Sequence, residues 1–69
     1  MKFHHYAPYI LESEPLDGKY ARMRIYRHGI KDSAATYYTL HGVGPNFVHT
    51  RLAKCQTAQE CIEMAEDFT

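Results

Sequence analysis

The stretch Thr57-Ala58-Gln59-Glu60-Cys61-Ile62-Glu63-Met64-Ala65-Glu66-Asp67-Phe68 decides the fold, because it carries the clear helical spacing of the chain. Thr57 and Glu60 make a capping box. The hydroxyl accepts the Glu60 backbone N–H, and the Glu60 carboxylate is expected to reach back to the Thr57 N–H. Ala58, Cys61, Ile62, Ala65 and Phe68 then fall on one apolar stripe, with Gln59, Glu60, Glu63, Glu66 and Asp67 opposite. A helix of about three turns is marginal alone, so the stripe needs a cover. The rest of the chain reads as sheet.

Residues 3–13 form a first strand, which Pro8 confines to a sheet edge. Pro15-Leu16-Asp17-Gly18 has turn chemistry, with Gly18 expected in the left-handed region of a short loop over 16–18. Lys19–His28 alternates: Ala21, Met23 and Ile25 are apolar, while Tyr20, Arg22, Arg24 and Tyr26 are amphipathic or basic. A polar turn over 29–34 leads to a third strand, 35–41. The turn 42–46 leads to a fourth, 47–53. The expected architecture is α+β: a four-stranded antiparallel meander with one C-terminal helix packed on one face, a single compact domain over 1–69.

Loop lengths set an expected register. Tyr26 opposes Tyr37, Arg24 opposes Thr39, Tyr37 opposes Arg51 and Thr39 opposes His49. The buried rows are then Leu11–Met23–Leu40–Val48 and Tyr9–Ile25–Tyr38–Thr50, with Leu52 beneath the helix. A slip of one residue would bury Arg22 and Arg24, which fixes the faces. Tyr6 and Ile10 compete with Tyr9 and Leu11 for the core, so the first strand's register is less well specified.

At 45% hydrophobic and 23% charged, the 69 residues have the composition of a globular domain. The net charge is zero, which argues against a general nucleic-acid or membrane binder. Its distribution is uneven. All eight Lys and Arg lie within residues 2–54, while four of the eight acids sit on the helix. Cys55 and Cys61 are too few for a disulfide framework and are not spaced as a zinc pair. The first residues lack a signal-peptide apolar core, and no segment reaches membrane-spanning length. The expectation is a cytoplasmic protein with reduced thiols and no membrane partner.

The expected register gathers Tyr20, Arg22, Arg24, Tyr26, Tyr37, Thr39, His41, Phe47, His49 and Arg51 on the face the helix leaves open. Tyr and Arg are enriched at interface hot spots, because they join large contact area to hydrogen-bonding ends. The candidate partner-binding residues are therefore Tyr20, Arg22, Arg24, Tyr26, Tyr37, His41, His49 and Arg51. A protein partner, such as a larger host complex, is the first expectation. A second copy docking as a homodimer would use the same face. Catalysis, cofactor binding and metal binding are not expected. His41 and His49 come close without a carboxylate or Cys at ligand spacing, Cys55 has no base beside it, and Gly42-Val43-Gly44 lacks the strand–loop–helix setting of a phosphate site.

Gly18-Lys19-Tyr20-Ala21, with Leu52 and Thr57-Ala58-Gln59-Glu60, resembles the pattern of AP2-type DNA-binding domains and related phage integrase arm-binding domains. That resemblance implies a three-stranded sheet in the DNA major groove, with Arg22, Arg24 and Arg51 as its cations. The chain has no Trp and no arginine-rich first strand, so DNA stands as the alternative partner. In size, order of elements and Tyr content the chain is also similar to small phage-encoded anti-CRISPR inhibitors. This implies an accessory protein of a phage or mobile element that covers a surface of a host complex.

Overall fold

Alternation over Arg22–His28 sets the sheet. Met23 and Ile25 point one way and are almost fully buried, whereas Arg22, Arg24 and Tyr26 point the other. A computed structural model of the protein describes residues 1–29 and 34–69. Its strands are β1 (Phe3–Ala7), β2 (Ile10–Ser13), β3 (Arg22–His28), β4 (Tyr37–Val43) and β5 (His49–Cys55), antiparallel and adjacent in chain order. Helix α1 (Ala58–Ala65) follows and ends in a 3-10 turn over Glu66–Phe68. The α+β meander with one C-terminal helix is as expected. The strand count is five rather than four.

The extra strand comes from residues 3–13, which fold back on themselves. Pro8 and Tyr9 make a tight turn, and Phe3, His4 and His5 pair with Ser13, Glu12 and Leu11. Pro8 thus serves as a turn residue, where its missing N–H costs nothing, and not as an edge-strand residue. Tyr9, expected in the core, is exposed in that turn under the guanidinium of Arg27, 4.1 Å from its ring centre.

The register differs from expectation by even steps over most of the sheet, which preserves the faces. His28 opposes Tyr37, Tyr26 opposes Thr39 and Arg24 opposes His41, two residues from the expected pairing. Gly42 and Val43 extend β4, so β5 starts later: Val43 opposes His49 and His41 opposes Arg51. A bulge then places Leu40 opposite Ala53 and Thr39 opposite Lys54. The central buried row is Leu11–Ile25–Leu40–Ala53, and Val48, expected in it, is exposed in the loop. The expected turn over 29–34 lies largely outside the described residues.

Helix α1 covers β3, β4 and β5 with Cys61 and Ala65 fully buried and Ile62 and Phe68 packed beside them. Burying Met23, Ile25 and Leu40 contributes roughly 1.5–3 kcal/mol each. The cap forms, with Thr57 Oγ1 accepting the Glu60 N–H at 3.2 Å. The reciprocal arm differs: the Glu60 carboxylate accepts the Thr57 hydroxyl at 3.1 Å and not its N–H. Because α1 sits over the later strands, a groove of about 210 Å³ stays open on the helix side between Tyr9, Leu11, Ile25, Arg27, Tyr38 and Ala58.

Tyr20 is a correction. It precedes β3, within the arc from Glu14 to Ala21, and its ring turns inward to 9% exposure. A Cβ on Gly42 would lie 2.5 Å from that ring, so the glycine makes room for it. Gly18 is a second correction. It does not take the left-handed backbone expected of it, since among the described glycines Gly29 alone has positive φ. The arc is instead held by the Leu16 N–H on Ala21 O and the Ala21 N–H on Val43 O, each at 2.8 Å.

Candidate functional site

Even-numbered residues of β2 and β3 and odd-numbered residues of β4 share the side of the sheet that α1 leaves open. Seven of the eight expected residues are there: Arg22, Arg24, Tyr26, Tyr37, His41, His49 and Arg51. Tyr20 is not, because the alternation of β3 stops two residues short of it.

The β2–β3 half is organised by Glu12. Its carboxylate, 5% exposed as a residue, accepts Arg24 Nε at 2.8 Å and Arg22 Nη1 at 3.1 Å. His4 Nε2 lies 4.0 Å away. Arg24 also stacks over Tyr6, 4.4 Å from the ring centre, and its Nη1 donates to the Tyr26 hydroxyl at 3.4 Å. One guanidinium is thereby fixed between a carboxylate and two tyrosines before any partner arrives.

The β4–β5 half is built around Thr39, which is buried. Its hydroxyl lies 2.8 Å from His28 Nε2 and 2.8 Å from His41 Nε2. A hydroxyl has one proton and two lone pairs, so the imidazoles cannot both act as acceptors: at least one Nε2 carries a proton and donates. His28 stacks on Tyr37 at 4.8 Å, and Lys54 Nζ sits 4.5 Å from the centre of the same Tyr37 ring. Tyr26 meets His41 edge-on at 4.9 Å, and His49 lies 6.3 Å from each of them. Desolvation, then the neighbouring His49, His28 and Arg51, lowers the His41 pKa. His41 is therefore held neutral within a basic surround.

The loop from β4 to β5 overhangs this face. Asn46 and Phe47 both take left-handed backbone, φ 65° and 60°, and the Phe47 ring is 82% exposed. A bulky residue there costs on the order of 1–2 kcal/mol. With Tyr6, Glu12, Arg22, Arg24 and Val43, Phe47 borders a depression of about 430 Å³.

Four contributors escaped the sequence reading: Tyr6, His28, Lys54 and the buried state of Glu12. Tyr6 depended on the β1–β2 hairpin, for which Pro8-Tyr9 was the signal. His28 depended on the register of β3 against β4, which sets it opposite Tyr37, and Lys54 on the true length of β5. Among the described residues, no group of three or more His, Cys, Asp or Glu side chains is placed to hold a metal ion, and no helix is long and apolar enough to cross a membrane. Comparison of the chain with protein-family models, with curated proteins and with solved structures finds no match.

Proposed function

We propose that the chain is a non-enzymatic binding module that docks its open sheet face on a protein partner, as an accessory or inhibitory protein acting on a larger cytoplasmic complex. The observation that carries this reading is the prior ordering of the face. Arg24 is clamped by Glu12, Tyr6 and Tyr26, and side chains fixed before contact lose less freedom on binding. Phe47 supports it: an aromatic ring held in water on left-handed backbone has no packing reason to be there. Duplex DNA is the alternative, favoured by the β4–β5 half, where Arg51 and Lys54 have no salt bridge to a carboxylate among the described residues. Against it, Glu12 already neutralises Arg22 and Arg24, which leaves few cations to displace counterions.

The test compares capture by the wild-type protein, by a Tyr26→Ala/Arg51→Glu variant and by a Glu63→Lys control on the exposed side of α1. Arg24 is left intact because a new carboxylate there would face buried Glu12. A protein held by wild type and control, and bound about thirtyfold or more weakly by the face variant, is the expected result. Equal retention by all three would reject the face. Titration with duplex DNA at about 50 and 200 mM salt tests the alternative, whose binding would fall steeply between the two. Mass measurement over a concentration series would reveal a second copy on the face.

A further inference from the structure

Three sulfur atoms meet where β5 hands over to α1, on the side of the sheet away from the proposed docking face. Cys55 is the last residue of β5, and Cys61 and Met64 are three apart on α1, which puts them on the same side of the helix. The Cys55 thiol donates to Met64 Sδ at 3.2 Å. Cys61 lies against Cys55 in the core, and both thiols are free and buried. The chain contains two Cys and three Met, so three of its five sulfurs gather at the β5–α1 junction around Cys55.

Access and charge also fit a site. Met64, 37% exposed, is the most open of the three. A depression of about 440 Å³, lined in part by Tyr37, Lys54, Cys55 and Glu60, opens onto Cys55 and gives solvent a way to it. Thiolate and thioether donors are soft and select Cu(I) over the hard cations, which need oxygen. Zinc sites close with four donors drawn from Cys, His and carboxylate, and no such group is assembled among the described residues.

We propose that Cys55, Cys61 and Met64 form a three-sulfur binding site for one Cu(I) ion. Binding breaks two S–H bonds and forms two copper–thiolate bonds and one copper–thioether bond. Two protons leave to solvent, and no electron is transferred. The loaded site carries one net negative charge. Lys54, on the same depression, offsets it, while Glu60 opposes it. Because Cys55 and Met64 already touch, loading requires little movement of the chain.

The reduced whole protein is titrated anaerobically with Cu(I) held by the competing chelator bicinchoninate. The expected result is withdrawal of one Cu(I) per chain, an ultraviolet sulfur-to-copper charge-transfer band and three sulfur neighbours by X-ray absorption. Met64→Leu preserves the volume at a partly exposed position and removes one donor. It should weaken binding at least about tenfold, the loss that removing even an outer partner of a metal site brings. Cys61→Ala should abolish uptake, with circular dichroism reporting whether each variant is folded. Retention of all the copper by the chelator would overturn the site, as would a folded Met64→Leu protein that binds as tightly as wild type.

Discussion

A carboxylate as deeply buried as that of Glu12 persists because Arg24 Nε and Arg22 Nη1 both reach it, at 2.8 and 3.1 Å. Their contributions are unequal: the Arg24 side chain is 17% exposed and that of Arg22 42% exposed, so solvent screens the second pair more. Glu12→Leu strands the Arg24 charge and should cost about 2–3 kcal/mol, read as a lower urea midpoint. Arg24→Met in that background should recover about 1 kcal/mol or more, because two apolar partners replace an unpaired ion. Strictly additive losses would show that the two residues are not coupled. The outward placement of Arg22, Arg24 and Tyr26 was legible from alternation alone. The burial of Glu12 was not, since it depends on β1 pairing alongside β2, and Tyr20 was misplaced by extending the alternation beyond the residues that pair.

Among the elements, α1 was the most legible, because its cap and stripe are encoded within twelve consecutive residues. The strands' faces were legible as well, since a register error of two residues returns every side chain to the same side. Strand ends were not: they depend on where pairing ceases, as at Ser13, whose hydroxyl accepts the Met23 N–H at 2.8 Å in place of a ladder bond. The contact between β3 and β4 carries a pH dependence. His41, beside Thr39, His28, His49, Tyr26 and Arg51, has its pKa lowered from the ordinary 6.5. Below pH 6.5 the unfolded chain therefore takes up a proton that the folded chain resists. Its contribution is fully present above that pH and is lost as pH falls through the depressed folded value. The urea midpoint should be lower at about pH 5.5 than at about 7.5, and His41→Asn should flatten the difference. An unchanged slope in the variant would assign the effect to another group.

For the molecule as a whole, the two sides of the sheet have different duties. Ile25, 1% exposed between Leu11 and Leu40, belongs to the core, whereas Arg51 is exposed on the open face. A domain of this size has on the order of 3–10 kcal/mol of stability. Ile25→Asp, which buries an unpaired charge, should remove at least about 4 kcal/mol and leave the chain unfolded. Arg51→Asp should stay within about 0.5 kcal/mol of wild type. Thermal melts followed by circular dichroism distinguish the two, and comparable melting temperatures would mean the sides are assigned the wrong way round. The charge split visible in the sequence has a three-dimensional counterpart, with Glu60, Glu63, Glu66 and Asp67 exposed along the helical side and Arg51 and Lys54 exposed on β5.

The backbone at Phe47 has an evolutionary corollary. A lineage relieved of its binding obligation would gain by exchanging that residue for glycine, which adopts the same torsion without penalty and sacrifices little packing. Retention of an aromatic there in descendants would record continuing selection for contact, whereas drift to glycine would date the loss of the interaction.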